Sequence, residues 1–190
     1  MSDCKRYDRV FAIYPNTRGF AFVVFEGQLA PVDWGVKTIR GKRKHSRCLR
    51  HIEKILARYE PDSVILQDMS PIGTQRASRI TKINSAIEEL CELSGIPTYA
   101  FSRAQVRSAF SYGGVTTKQA IAEAIAKHVP AFERYLPPIR KPWMTEDSRM
   151  GLFDAAALAW TFFSVLRADE AVEAREKAIR SARGSLPVSS

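Results

Sequence analysis

Short apolar runs separated by turn residues dominate the first forty positions. "VFAIY" at 10–14 and "FAFVVF" at 20–25 are rich in β-formers, and the Pro, Asn and Gly of "PNTRG" between them mark a turn. A third run, "APVDWGVKTI", follows "EGQ", so residues 10–39 read as an antiparallel meander. The period then changes. Leu49, Ile52, Ile55, Leu56 and Tyr59 recur at helical spacing within "RGKRKHSRCLRHIEKILARYE". "PDSVILQDM" is a nearly continuous apolar run, as in a strand covered on both faces. A second helix is predicted over about 77–94, with Ile80, Ile83, Ile87, Leu90 and Cys91 on one face, and "IPTYAF" supplies a fifth strand. Thr116 or Thr117 caps the helix "KQAIAEAIAKHV". A proline-rich loop leads into "EDSRMGLFDAAALAWTFFSVL", and the charged "RADEAVEAREKAIRSARGSLPVSS" reads as a helix fading into a disordered end.

The order β-β-β-α-β-α-β-α-α describes an α/β domain. A five-stranded mixed sheet, three strands in a meander and two parallel, carries helices on both faces. The expected division is a domain over 1–168 and a charged helical tail over 169–190.

Composition narrows the partners. Among 190 residues, 29 Lys and Arg outnumber 20 Asp and Glu, a formal charge of +9. That excess favours a polyanion, nucleic acid before membrane, because neutralising phosphates releases counterions. No apolar run in the sequence approaches the ~20 residues that span a bilayer. The polar start "MSDCKRYDR" lacks a secretory apolar core. A cytoplasmic protein is expected. Cys4, Cys48 and Cys91 are widely spaced, with no CxxC pair or Cys/His cluster, so they read as structural or surface thiols.

The acids are more informative. Two-metal phosphodiester cleavage needs several carboxylates converging on two ions about 4 Å apart. In a sheet of this order, the first strand, the fourth strand and the last helix can converge. The sequence supplies Asp68 after "VILQ" and Glu146, Asp147 and Asp154 on or just before the last helix. Asp147 and Asp154 are seven residues apart, which a continuous helix would place on one face, with Gly151 leaving open space between them. An aspartate opening a face as apolar as "AAALAW" is either a capping residue or a site carboxylate.

Taken together, these segments resemble the RuvC Holliday-junction resolvases of the RNase H-like superfamily, over most of residues 9–166. "VFAIYPNTRGFAFVVFEG" is similar to the family's first hairpin, "PDSVILQDM" to the strand ending in its catalytic glutamate, and "FDAAALAW" to its last acidic motif. "SRAQVRSAF" and "TTKQAIAEAIAKHV" resemble the segment bearing its lysine, which falls on Lys118. The resemblance implies an Mg²⁺- or Mn²⁺-dependent endonuclease that meets DNA rather than RNA as a homodimer. It also exposes a mismatch. The first-strand aspartate falls on Tyr14, the fourth-strand glutamate on Gln67, and the final acid pair on Gly151 and Asp154. A phenol titrates near pH ~10 and is a poor ligand for a hard cation. The family's aromatic wedge after the fourth strand has no counterpart in "DMSPIGTQ".

Three expectations follow. In the first, the chain binds branched or duplex DNA and has lost or weakened cleavage. In the second, Asp68, Asp147 and Asp154, with Glu146 nearby, hold a metal in a rearranged active site. In the third, the fold is a protein-interaction scaffold. The expected DNA-facing residues are Arg76, Arg79 and Lys82 after the fourth strand, Arg103, Arg107 and Lys118, the cluster Lys42, Arg43 and Lys44, and Arg140 and Lys141 beside Trp143. A lysine beside a helix N-terminus is well suited to a phosphate. Trp34, Trp143 and Trp160 are read as core or loop anchors rather than base-stacking platforms.

Overall fold

Strand β1 (Arg9–Asn16) is apolar at every position from Val10 to Ile13 because both of its faces are covered. In the computed structural model, which describes residues 9–69, 75–111, 114, 117–141 and 143–184, it is the middle strand of five. Side chains at 75–77, 170 and 176–184 lie outside that description. β2 (Gly19–Glu26) pairs antiparallel with β1, Val10 opposite Phe25 and Tyr14 opposite Ala21, and β3 (Pro31–Thr38) extends the meander. β4 (Ser63–Gln67) and β5 (Thr98–Phe101) add in parallel on the other side, giving the order β3-β2-β1-β4-β5.

The β1–β2 turn is tighter than the sequence pattern implies, because both strands run further toward Thr17 and Arg18. Asn16 holds it. Its Oδ1 accepts from the backbone N–H of Arg18 at 2.8 Å and of Gly19 at 2.9 Å, closing the turn without a longer loop. Gly19 is required there by space, since a Cβ would fall 1.9 Å from the Lys37 carbonyl oxygen on β3.

Alternation along the strands sorts the core into two layers. Phe11, Ile13, Phe22, Val24, Val64 and Leu66 face α1 (Lys44–Tyr59) and α2 (Gln75–Leu93). Cys48 and Cys91 are buried in this layer, which pushes both thiols up, Cys91 to about 11, away from reactivity. Cys4 lies outside the described residues. On the opposite face, Val10, Ala12, Val23, Phe25 and Ile65 meet α4 (Lys118–His128) and α5 (Met150–Gly184). Thr117 is the α4 cap, its Oγ1 accepting from the Ala120 N–H at 3.2 Å. Pro130–Tyr135 forms a 3₁₀ turn that lodges Phe132 against Phe25 and Trp34.

Two elements depart from the sequence expectation. A short helix, α3 (Arg103–Phe110), follows β5 directly. Its start is written in a capping box, the Ser102 hydroxyl accepting from Gln105 N–H and the Gln105 carboxamide accepting from Ser102 N–H. The last helix begins at Met150, not near Glu146, and runs unbroken for 35 residues. Asp147 therefore precedes the helix, and the shared helical face expected for Asp147 and Asp154 does not form. Residues 150–175 of α5 are long and apolar enough to cross a bilayer, contrary to the sequence reading, but two thirds of that window is buried inside the fold, as in a core helix.

Gly19→Ala is expected to lower the unfolding free energy by about 2–4 kcal/mol, because the clash is with backbone that cannot rotate away. The denaturant midpoint reads this directly.

Candidate functional site

The register of β1 on β4 prepares a site before any side chain is considered. Pairing runs from Val10 opposite Ser63 to Ala12 opposite Ile65 and then stops, so the carboxyl ends of the two parallel strands diverge. Continuing the same register sets Tyr14 level with Gln67, and alternation turns both toward the α5 face. A crevice at the carboxyl ends of parallel strands is where open α/β sheets place their ligands.

Three helices close the crevice. α5 arrives with Gly151 against β2, where a Cβ would lie 3.1 Å from the Ala21 Cβ. The space expected beside Gly151 is therefore tight toward β2, where an added Cβ would require Ala21 to give by a few tenths of an ångström. One turn further, Asp154 points into the crevice with 15% of its side chain exposed. α4 contributes Lys118 from its first position, and α3 contributes Arg103 and Arg107.

Lys118 organises the centre. Its Nζ lies 2.8 Å from Asp154 Oδ2 and 2.5 Å from Glu146 Oε1, and 5.7 Å from the centroid of the Tyr14 ring. Asp154 is thus ion-paired from within the crevice, its Oδ2 facing the ammonium. Burial pushes the Asp154 carboxyl up to about 6, although Lys118 pulls the other way. Burial also raises the Tyr14 phenol, and the Asp154 charge raises it further. For Lys118, burial favours the neutral amine, but Asp154, Tyr14 and Glu146 outweigh it and the ammonium is held above its ordinary range.

The other expected acids are placed differently. Asp147 is held in a fork by Arg149, whose Nη2 is 2.6 Å from Oδ2 and whose backbone N–H donates to Oδ1. Those hydrogen bonds hold its carboxyl below the usual range. Glu146, Asp147 and Asp154 share the border of a second cavity with Tyr14 and Gly151. Asp68 borders neither this cavity nor the crevice; it follows the last residue of β4, where its backbone N–H donates to Phe101. Among the described residues, no group of three or more Asp, Glu, His or Cys has metal-holding geometry. Two divalent ions do not fit this donor set. A phenol, an amide and a tightly packed glycine occupy the positions where the family resemblance implies acids, and an ammonium already sits on the remaining carboxylate.

Some of the expected cations line adjoining cavities, and others do not. Arg103, Arg107 and Lys118 line the crevice, and Arg18, Lys37 and Arg140 line the second cavity, which shares Tyr14 and Asp154 with it. A third cavity shares Asn16 and Thr17 with the second, and Lys44, Arg79 and Lys82 line it from α1 and α2. Lys42 and Arg43 are exposed just ahead of α1 and line none of the three. The Arg76 side chain and residues 70–74, where a wedge was sought, lie outside the described residues.

Of the tryptophans, Trp34 packs on Phe132 and Trp160 stacks on Phe110, as anchors. Trp143 does not: it is 79% exposed, with Lys141 Nζ 5.6 Å from its ring. Sequence reasoning also missed Gln67. It was noted only as a lost acid, yet it is a 6% exposed amide facing the crevice.

No protein-family model and no curated protein matches this chain. Solved structures do. RuvC of Thermus thermophilus in complex with a Holliday junction substrate superposes with a TM-score of 0.66 at 20% identity, covering 86% of this chain and 97% of that one. A second structure of T. thermophilus RuvC gives 0.62 at 20% identity, over 85% and 96% of the two chains. The fold is thus RuvC-like and RNase H-like, as the sequence resemblance implies.

The electrostatics give a direct prediction. In a carbon-13 carboxyl titration, Asp154 should titrate near 6 and Asp147 below the ordinary aspartate range. Because the folded pKa of Asp154 is raised, its contribution to stability is complete below about pH 4 and is lost as pH rises through 6. Relative to Asp154→Asn, the wild-type protein should lose up to about 3 kcal/mol between pH 4 and 7.

Proposed function

We propose that this chain binds branched or duplex DNA through a RuvC-like fold and holds the phosphodiester backbone without metal-dependent cleavage. The observation that carries this reading is Lys118, whose ammonium sits between Asp154 and Glu146 under the Tyr14 ring. That ammonium ties up both carboxylates at once, while Tyr14, Gln67 and Gly151 stand where the resemblance implies the other acids. The positive charge offered to a phosphate in the crevice comes from Arg103 and Arg107 beside the N-terminus of α4.

The groove supports the binding half of the proposal. Three adjoining cavities each present three cations, and they run from the crevice over the β1–β2 turn to α1 and α2. A track of that kind meets a phosphate backbone without reading sequence. Trp143, exposed beside Lys141, offers a ring on which a base can stack. The T. thermophilus structure with a Holliday junction makes branched DNA the first substrate to try.

One observation favours the competing reading of an Mg²⁺- or Mn²⁺-dependent endonuclease: Glu146, Asp147 and Asp154 border one cavity. Against it, Asp147 is committed to Arg149, and Glu146 and Asp154 to Lys118.

Gel-shift and cleavage assays on duplex, flap and four-way DNA, with Mg²⁺ and with Mn²⁺, separate the two. Binding without cutting is expected, with log affinity falling by about 0.9 per phosphate met for each tenfold rise in salt. Robust cutting by the unmodified protein would sink the proposal. Trp143→Ala should weaken binding to DNA with unpaired bases by about 1–3 kcal/mol.

A further inference from the structure

A polar group in the crevice is left over once the ion pairs are assigned. Gln67 ends β4, is only 6% exposed, and lines the crevice with a side-chain amide that has no hydrogen-bond partner among the described residues. Its own carbonyl oxygen on the main chain is satisfied by Asn84, so the orphan is the side chain alone. Buried amides are normally paired, and one left open costs stability unless something arrives to pair with it.

The rest of the crevice describes what would arrive. Its volume is about 250 Å³, below the range for drug-sized ligands and suited to a single ring system. Ile121, Phe153 and Leu158 are buried apolar walls, which disfavour a bare phosphate at depth. Arg103 and Arg107 line the same space but are exposed, so they stand at its mouth. A planar apolar body with a hydrogen-bonding edge inside and an anion outside is the chemistry of a nucleotide. An amide presents one donor and one acceptor side by side, and that pair matches the edge of adenine better than the other bases.

We infer that the crevice receives one unpaired nucleobase, preferentially adenine, paired by the Gln67 amide, with its phosphate held by Arg103 and Arg107. This rests on the DNA-binding reading and deepens it, because a nucleotide already unpaired enters such a pocket at the least cost in unstacking. The same adenine nucleotide chemistry could be met free in solution or within a DNA strand, and the test separates them.

The test uses the full chain and fluorescently labelled duplexes that differ at a single unpaired position: deoxyadenosine, thymidine or an abasic residue. Anisotropy titrations should show the unpaired deoxyadenosine duplex bound about tenfold more tightly than the abasic one. In Gln67→Leu that ratio should fall to near one, with a melting temperature equal to or above that of the wild type, because a leucine of similar size has no polar group to leave unpaired. Val106→Phe, which narrows the crevice from its partly exposed wall, should give the same collapse of the ratio by an independent route. Equal affinity of the wild type for the adenine and abasic duplexes overturns the base pocket while leaving DNA binding standing. No affinity for any duplex overturns both. Calorimetry with deoxyadenosine monophosphate completes the set: saturable heat lost in Gln67→Leu, without discrimination among the duplexes, assigns the pocket to a free nucleotide and overturns the DNA-borne source.

Discussion

α5 lies close to the sheet, and the rest of the site depends on that closeness. Small residues make it possible. Gly151 meets Ala21 on β2 so closely that an added Cβ would lie 3.1 Å from the alanine methyl, and Ala155, Ala156 and Ala159 continue the buried stripe. A helix held this near the strands carries Asp154 into the interior, beside the phenol of Tyr14. A carboxylate taken out of water is costly unless a partner charge is supplied. Lys118 is that partner, delivered by the capped N-terminus of α4. The chain from helix packing to buried acid to paired lysine is a sequence of physical needs, each created by the one before.

The consequence is a site whose cation is covalently part of the protein. In a metal-dependent hydrolase of this fold, acids stay anionic so that ions can bridge them to a phosphate. Here Asp154 and Glu146 share an ammonium, Asp147 is held by Arg149, and the register of β1 and β4 aligns a phenol with an amide. What remains chemically available is positive charge at the mouth, apolar wall at depth and one open amide between them. Those properties underlie the proposed reading of a surface that meets nucleotides.

Much of the fold was legible because it depends on periodicity. Runs such as "FAFVVF" and "SVILQ", apolar on both faces, need a sheet covered on both sides, and the observed layers supply it. The segment 103–110 was not read as a helix, although its capping box, Ser102 and Gln105, stands in the sequence. Its apolar positions are too few in two turns to reveal a period. For Asp147 the sequence leaves open a place on the last helix or just before it, because residue spacing alone cannot tell a helical turn from the preceding loop. The fork with Arg149, two residues on, is a local contact that competes with extending the helix.

By itself, the sequence determined the strand and helix order, the two-faced sheet and the identities at the four positions where the family resemblance implies acids. Those features are local, carried by side-chain type and by spacing along one segment. Only the tertiary structure decided that Lys118 meets both Asp154 and Glu146, that Gly151 is closed against Ala21, and that cations from α1, α2, α3 and α4 line one groove. Each joins segments tens of residues apart, and their distances follow from how closely helices pack on a sheet. That quantity is set by volumes summed over the whole core, and no window of the sequence contains it.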